Sequence, residues 1–171
     1  MKKILTLFAV VGLMAFSSCS NNDDDVDNDT IPEAFEIANV NLARKTDNLY
    51  TLESTFQYEI GGSLYDDETI LVYRLTGTID SNTPVWQLIP RTIYFDNGNE
   101  LDYDFDFSKV DFVISARGTY NLLNTPNYIN NQTFRVVIIP SYLASTVNKA
   151  NYSEVMKAAK LNESQVKNIK F

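Results

Sequence analysis

Three carboxylates alternate with three aromatic residues in the segment from Asp102 to Phe107. Successive side chains of a β-strand point to opposite faces, so Asp102, Asp104 and Asp106 would share one face at a spacing of roughly 6–7 Å. Such a face suits a calcium ion if neighbouring segments add further oxygens. It also suits edge protection, because charged side chains discourage the addition of a foreign strand. Both interpretations stay open, and these aspartates are the metal-ligand candidates.

Catalytic patterns are weak along the chain. It contains no histidine, which removes imidazole-dependent triads and the usual zinc ligand sets. Asp66, Asp67 and Glu68 precede a predicted strand, and carboxylates about 5–10 Å apart could serve glycoside hydrolysis. Ser164 and Lys167 have the spacing of a serine-lysine acyl transferase without its companion motifs. A solvated turn and a solvated helix face explain both patterns, so we predict no enzyme activity, catalytic residue or cofactor.

The N-terminal segment has the features of a lipoprotein signal. Two lysines precede an apolar run from Ile4 to Phe16, and two serines separate this run from Cys19. The run is shorter than the roughly 20 apolar residues that a membrane span requires. We therefore predict a removable signal peptide over residues 1–18 and lipidation of Cys19, with more than one acyl chain for durable anchoring. The alternative is a general secretory signal in which Cys19 is incidental.

A polar, acidic stretch follows the cysteine, and residues 19–33 are predicted to form a tether because they contain too few apolar side chains to fold alone. A single domain is predicted over residues 34–171. Cys19 is the one cysteine of the chain, so the domain must be stabilised by its core without a disulfide. The net charge of −8 disfavours phosphate-rich partners, and we predict no nucleic acid binding.

Alternation of apolar and polar residues from Phe35 onward predicts strands with one buried and one solvent-exposed face. The clearest alternation runs from Leu52 to Ile60, and Asn97-Gly98 predicts an antiparallel hairpin with a two-residue turn. The fold we predict is an antiparallel β-sandwich of about seven strands with a C-terminal α-helix. The predicted strands are residues 35–42, 52–60, 69–75, 85–95, 100–107, 110–117 and 133–139.

Residues near the C-terminus change period. Asn151 and Glu154 fit the start of a helix, and Asn162 with Gln165 repeats the arrangement. We predict helix over about residues 151–170, as one long or two short segments packed over a sheet face or end, with a partner-binding helix as the alternative. The uncharged connection Asn121–Gln132 is long enough to be a recognition loop. Trp86, with ten tyrosines and ten phenylalanines, could supply a stacking platform for sugars, although sandwich cores also use aromatics.

Several stretches carry a family resemblance. They are Met1-Lys2-Lys3, Leu7-Phe8-Ala9-Val10, Phe16-Ser17-Ser18-Cys19, Leu71-Val72-Tyr73-Arg74-Leu75, Val85-Trp86-Gln87-Leu88, the segment 101–107, and Gln132-Thr133-Phe134-Arg135-Val136-Val137. On these stretches the chain resembles a group of small Bacteroidota lipoproteins of unknown function, from Met1 through the C-terminal helix. Such proteins can carry the name dihydrolipoamide dehydrogenase. This sequence contains neither a G-x-G-x-x-G motif after a strand nor a redox cysteine pair. The resemblance therefore implies a cellular location and a fold, and it implies no catalytic residue.

The resemblance also bears on the tether. Acidic residues after the lipidated cysteine resemble the surface-export signal of Bacteroidota lipoproteins, which implies an outer-membrane protein facing the cell surface; here the acids begin only after Ser20-Asn21-Asn22, so a periplasm-facing protein is the alternative. Asp29-Thr30-Ile31 resembles the O-glycosylation site of the same bacteria, which makes Thr30 a candidate.

These features lead to three hypotheses of function. The first is a non-enzymatic surface lipoprotein that binds a glycan or protein partner through Asn121–Gln132 or an aromatic face. The second is a structural or assembly accessory of an outer-membrane complex, docking by a sheet edge or the terminal helix. A carboxylate-based hydrolase is the third.

Overall fold

Strands with one apolar face need a second layer to cover that face, and this chain supplies it by stacking two sheets. The computed structural model describes residues 31–80 and 82–170. Within these residues, ten strands form two five-stranded sheets. The strands are β1 (Glu33–Val40), β2 (Ala43–Thr46), β3 (Leu49–Thr55), β4 (Glu68–Thr78), β5 (Pro84–Leu88), β6 (Arg91–Tyr94), β7 (Glu100–Phe107), β8 (Asp111–Gly118), β9 (Gln132–Pro140) and β10 (Lys167–Ile169). The α-helices are α1 (Phe56–Glu59), α2 (Ser141–Thr146) and α3 (Tyr152–Ala158), and 3₁₀ turns span Leu122–Asn124, Pro126–Tyr128 and Glu163–Gln165.

Sheet A has the order β10-β1-β9-β4-β5, and sheet B has the order β2-β3-β8-β7-β6. Neighbouring strands pair antiparallel, apart from the parallel pair β1 and β10. The predicted mainly β sandwich is therefore confirmed. The four edge strands of the described sheets contain only three to five residues each, which is one way that proteins protect sheet edges from aggregation.

Apolar cores lie on both faces of sheet A. The inner core fills the space between the sheets and includes Phe35, Phe112 and Phe134. The outer core lies beneath α2 and α3, where Val155 and Met156 pack on sheet A. Strand β9 is buried along its whole length because it has a core on each face. The prediction that the terminal helix packs on a sheet face is confirmed.

The predicted strand from Leu52 to Ile60 is wrong in its second half, since β3 ends at Thr55 and α1 follows. The Thr55 hydroxyl accepts a hydrogen bond from the Tyr58 amide at 3.3 Å and so caps this short helix. The helix buries Phe56 and Glu59 and leaves Tyr58 64% exposed, which the alternating pattern did not anticipate. A local capping bond and the burial of Phe56 thus outweigh the strand periodicity.

The predicted strand over residues 85–95 is two strands in different sheets. The chain passes from β5 in sheet A to β6 in sheet B at Ile89-Pro90, a cis peptide bond. Proline has no N–H to donate to a ladder, so the crossing falls where the pairing must stop. The predicted antiparallel pairing is confirmed for β6 and β7, but the two-residue turn predicted at Asn97-Gly98 is wrong. The loop between the two strands spans residues 95–99, and of the pair Asn97-Gly98 only Gly98 has a positive φ, of 82°.

Of the two forms predicted for residues 151–170, the single long helix is wrong: the chain forms two short segments, α3 and the 3₁₀ turn Glu163–Gln165. Asn151 does cap α3, accepting a hydrogen bond from the Glu154 amide at 3.2 Å. The second predicted start at Asn162 forms a complete capping box with Gln165, but it closes only a 3₁₀ turn. Strand β10 then pairs with β1. The capping pattern identifies a helix start correctly and carries no information on the length that follows.

The two ends of the sandwich carry different segments. Strand β1 begins at the end where β9 and β7 finish, and we call this the tether end because the chain enters the domain there. The opposite end, which we call the distal end, carries the turn at 79–83, the hairpin loop 95–99 and the connection 119–131. The connection predicted to be a recognition loop therefore lies at the end opposite the start of β1.

Candidate functional site

Both predicted modification sites, Cys19 and Thr30, lie outside the described residues, so lipidation and glycosylation remain predictions. The acidic stripe does lie in the structure. Its three aspartates line the outer face of sheet B, where Asp102 accepts a hydrogen bond from the Thr92 hydroxyl at 2.5 Å and pairs in register with Arg117. Within residues 31–80 and 82–170, no three acidic or sulfur side chains form a group that could hold a metal ion. Calcium binding by Asp102, Asp104 and Asp106 gains no support from this geometry.

Part of the aspartate stripe, from Asp104 onward, lies on a stretch of β7 that forms an edge of sheet B. Strand β6 covers β7 only as far as Tyr103, so Asp104–Phe107 has no neighbouring strand on that side among the described residues. The Asp104 carboxylate accepts a hydrogen bond from the Phe105 amide at 2.8 Å. This bond occupies a backbone donor of the uncovered stretch, in keeping with the edge-protection interpretation.

The acids considered for hydrolysis are engaged separately. Asp66 forms an ion pair with Lys109, and Glu68 accepts a hydrogen bond from the Tyr65 amide at 2.8 Å. Burial raises the pKa of Glu68. The backbone carbonyl of Asp67 accepts a hydrogen bond from the Ser141 amide at 2.7 Å. None of these contacts joins two carboxylates, although the negative charges of Asp67 and Glu33 add to the raised pKa of Glu68.

Ser164 and Lys167 are also engaged with different partners. The Ser164 hydroxyl donates to Asn162 at 2.5 Å, whereas the Lys167 ammonium pairs with Glu33 at 2.6 Å. The two side chains therefore do not form a serine-lysine pair.

The connection 119–131 is an ordered cap on the distal end. Leu122 and Ile129 are buried in the inner core, and the Leu42 amide donates to the Ile129 carbonyl at 2.8 Å. The Gln132 side-chain amide donates to the carbonyls of Asn127 and Asn130 at 2.8 and 2.6 Å. This connection is held in one shape by the body of the domain, so a ligand would meet a preformed surface.

Aromatic rings and a buried cation support this cap from below. The Phe95 ring contacts the rings of Tyr120 and Tyr128 edge-to-face at 5.7 and 5.5 Å. The Arg74 guanidinium lies 4.4 Å from the centre of the Tyr103 ring, and its Nε donates to the Gln132 side chain at 2.8 Å. Burial is the main cause that raises the pKa of Tyr103 far above the range of a free tyrosine.

The outer surface of the cap is rich in amides and free of formal charge. Its exposed residues include Leu123 and five asparagines, namely Asn121, Asn124, Asn127, Asn130 and Asn131. An amide both donates and accepts hydrogen bonds without the desolvation cost of a charge, and paratopes combine asparagine with tyrosine for this reason. The distal end thus offers polar, uncharged contacts on a rigid frame.

A groove of about 390 Å³ opens beside this end, between the start of β5 and the start of α3. Its apolar wall is formed by Ile79, Pro84, Val85, Trp86 and Tyr152, and its polar wall by Asn148, Asn151 and Ser153. The Trp86 and Tyr152 rings are 5.7 Å apart and tilted by 42°. The buried indole N–H of Trp86 has no acceptor among the described residues. Aromatic faces next to hydroxyl and amide groups can stack on a sugar ring and bond its hydroxyls.

Arg135 fixes the two aromatic rings of the groove. Its guanidinium lies 4.2 Å from the centre of the Trp86 ring and 5.2 Å from that of Tyr152. It also pairs with Glu36 at 2.5 Å and Glu163 at 2.7 Å. Burial acts to lower the pKa of Arg135, but the bonds to Glu36, Tyr152 and Glu163 outweigh it and raise that pKa. Burial raises the pKa of Tyr152 to about 12.

A second groove, of about 420 Å³, lies toward the tether end. Here β5 ends and β6 begins, and neither strand reaches the tether-end residues of its neighbours β4 and β7. Its lining is mainly apolar and includes Ile70, Leu88, Phe105 and Phe107. In the ladders of the described strands, β5 pairs with β4 only from Tyr73 onward, so the first residues of β4 are also uncovered on this side. Two uncovered strand stretches therefore flank an apolar groove.

The arginines at the centre of these sites were not predicted to be functional. Arg74 lies in the apolar run 70–75, and Arg135 lies in the run 133–139. A charged residue inside an otherwise apolar strand must find partners if it is buried, and this is the signal that marks both positions. For Trp86 the sequence left open both a stacking platform and a core role, and its partners come from β9 and α3, which the sequence does not pair with it.

Comparison with known proteins finds no matching family model, no matching curated protein and no matching solved structure. None of the helices in the described part of the chain combines the length and the hydropathy that crossing a membrane requires.

Proposed function

We propose that this protein is a non-enzymatic outer-membrane lipoprotein of the small Bacteroidota type, anchored through Cys19 and facing the cell surface, whose distal end binds a glycan. The anchor is supported by the signal-like segment before Cys19 and by the acidic stretch after it. The position of β1 bears on the orientation of the domain, because the chain enters it at the end opposite the distal surface. An anchored domain would then present its distal end away from the membrane.

The Trp86–Tyr152 groove is the observation that carries glycan binding. It combines two aromatic rings with three uncharged polar side chains and contains no acidic or basic lining residue. Sugar rings present apolar C–H faces and many hydroxyls, so this mixture matches them better than it matches a charged ligand. The ion pairs of Arg135 hold the rings in place before binding, which lowers the entropy lost on association.

A glycan microarray with the purified protein and two matched variants tests the proposal. Val85→Arg places a long charged side chain in the groove at a residue that is 38% exposed, whereas Val110→Arg makes the same change at a 55% exposed residue of the tether end. We expect the wild type and Val110→Arg to bind the same glycans and Val85→Arg to lose at least about tenfold in affinity. Equal binding by all three proteins, or binding by none, would contradict a glycan site in this groove.

A protein-docking accessory is the second candidate, because the uncovered stretches of β4 and β7 flank the apolar groove near Phe105 and Phe107. An extended segment of a partner could add to either stretch as a strand and place apolar side chains in the groove. A photo-cross-linking residue at Phe107, with Tyr94 as the control position, tests this in intact cells. A defined outer-membrane protein cross-linked from 107 and not from 94 is the expected result, and equal cross-linking from both would exclude specific docking.

A further inference from the structure

Six of the ten large apolar side chains that are exposed in the described residues lie at the tether end. Those at this end are Ile31 at 71%, Tyr58 at 64%, Tyr65 at 54%, Phe107 at 42%, Val110 at 55% and Tyr142 at 69% exposed. We call this set the tether-end patch. Elsewhere in the described residues, Ile79, Val85, Tyr94 and Leu123 are the other exposed large apolar residues.

The fold brings the members of the patch together from distant parts of the sequence. Helix α1 lies beside the β7–β8 loop, because the Phe56 amide donates to the Val110 carbonyl at 3.0 Å. Leu64 donates to the Lys109 carbonyl at 2.8 Å and holds the segment that carries Tyr65 against the same loop. The Ser141 amide donates to the Asp67 carbonyl at 2.7 Å, which places α2 and its Tyr142 next to the start of β4.

Clustering of this kind does not follow from folding alone. Scattered exposed apolar residues are normal, but a concentrated set marks an interaction surface. Tyrosine is favoured where an apolar body meets a polar boundary, since its ring can enter the lipid while its hydroxyl stays in the headgroup layer. The composition of the patch therefore fits a lipid surface.

Geometry selects the lipid surface as the occupant. If Cys19 is acylated, the chain between Cys19 and Ile31 cannot extend beyond roughly 40 Å in any conformation. Ile31 is itself part of the patch, so the tether holds the patch near the membrane at a high effective concentration, for which even a weak affinity suffices.

We propose that the tether end rests on the lipid surface, with the tether-end patch inserted at the headgroup level, and that this end prefers uncharged headgroups to anionic ones. This inference rests on the proposed anchor at Cys19. The charge of this end sets that preference: Glu33, Asp67, Glu68 and Asp111 lie at or next to strand ends on this side, whereas its lysines Lys109 and Lys167 are paired with Asp66 and Glu33. Anionic headgroups would be repelled over about 10 Å at 0.1 M salt.

Tryptophan quenching in vesicles tests the inference. The chain has a single tryptophan, Trp86, which supplies a constant background signal. The lipidated protein would carry Phe107→Trp or Tyr142→Trp, with Tyr94→Trp as the control on the exposed edge strand β6. The vesicles are made of phosphatidylcholine with brominated acyl chains, and mass spectrometry reports the acylation of Cys19.

Tryptophan at 107 or 142 should lose about half of its added emission, and tryptophan at 94 should lose none. Replacing half of the phosphatidylcholine by phosphatidylglycerol at low salt should reduce the quenching, and 0.5 M salt should restore it. An acylated, vesicle-bound protein in which position 107 is quenched no more than position 94 would overturn the lipid contact and leave the anchor intact. A chain without acyl mass on Cys19 would overturn the anchor itself.

Discussion

Two buried arginines on neighbouring strands of sheet A are stabilised in different ways. Arg74 of β4 pairs in register with Phe134, and Arg135 of β9 pairs with Tyr73, so the two guanidinium groups point to opposite faces of the sheet. Arg135, in the outer core, forms ion pairs with Glu36 and Glu163. Arg74, in the inner core, has a glutamine and tyrosine rings around it and forms no ion pair among the described residues.

The difference reflects what each face can supply. The outer face of sheet A is covered by α3 and the turn that follows, whose polar sides bring Glu163 and Tyr152 to Arg135. The inner face is covered by sheet B, whose inward residues are apolar or aromatic, so Arg74 relies on the Tyr103 ring and on Gln132. An arginine that leaves carboxylates behind should be costlier to remove than one that leaves only neutral groups.

Removal of Arg135 should have the largest effect. Arg135→Met would leave Glu36 without its partner at a side chain that is only 17% exposed, and we expect a loss of about 3–5 kcal/mol in the free energy of unfolding. Urea denaturation measures this value. The control is Glu163→Gln, at a side chain that is 64% exposed, which should cost less than about 1 kcal/mol.

The second prediction concerns the glutamine beside Arg74. Gln132→Leu would remove the acceptor for Arg74 and the donor to the Asn127 and Asn130 carbonyls, so we expect a loss of about 2–3 kcal/mol. Gln87→Leu on the edge strand β5 should change stability by less than about 0.5 kcal/mol. Equal effects of the two changes would show that the distal cap does not depend on Gln132.

Arg74→Met is the third prediction and the sharpest contrast with Arg135. Methionine keeps much of the apolar stem, and no carboxylate is left unpaired, so the expected loss is only about 1 kcal/mol. The same urea series provides the measurement. A loss as large as that of Arg135→Met would contradict the distinction between the two sites.

The smallest expected effect is a change in alkaline stability. Burial raises the pKa of Tyr152 from 10.0 to about 12, so the unfolded chain ionises this tyrosine before the folded one does. Its stabilising contribution is complete below pH 10 and is lost as the pH rises from 10 to 12. Tyr152→Phe should therefore show a shallower fall in stability over that window. If the free energy of unfolding fell as steeply with pH in Tyr152→Phe as in the wild type, Tyr152 would not contribute. Part of this pH dependence should remain in the variant, because burial also raises the pKa of Tyr73 and Tyr103.

The sequence patterns predicted the sandwich and most of its strands, because alternating burial is a local property of each strand. They failed where a capping bond or the position of a proline, and not the alternation of apolar residues, decides which element forms. The hydrogen bond to Thr55 caps a helix that begins at Phe56, where the pattern predicted a strand. Pro90 interrupts the predicted strand 85–95, and its two halves join different sheets. The site was also only partly predictable: Trp86 could be named as a stacking residue, but its contacts with Arg135 and Tyr152 depend on the packing of β9 and α3.

Accessibility on intact cells is the most direct test of the central claim, which is that the distal end of an anchored domain faces the outside. An epitope inserted in the hairpin loop 95–99 would be probed with antibody and protease, beside a Cys19→Ala variant that lacks the anchor. We predict labelling of the wild type on intact cells and release of the variant from the membrane. An epitope that is protected until the outer membrane is broken would contradict a surface-exposed binding module.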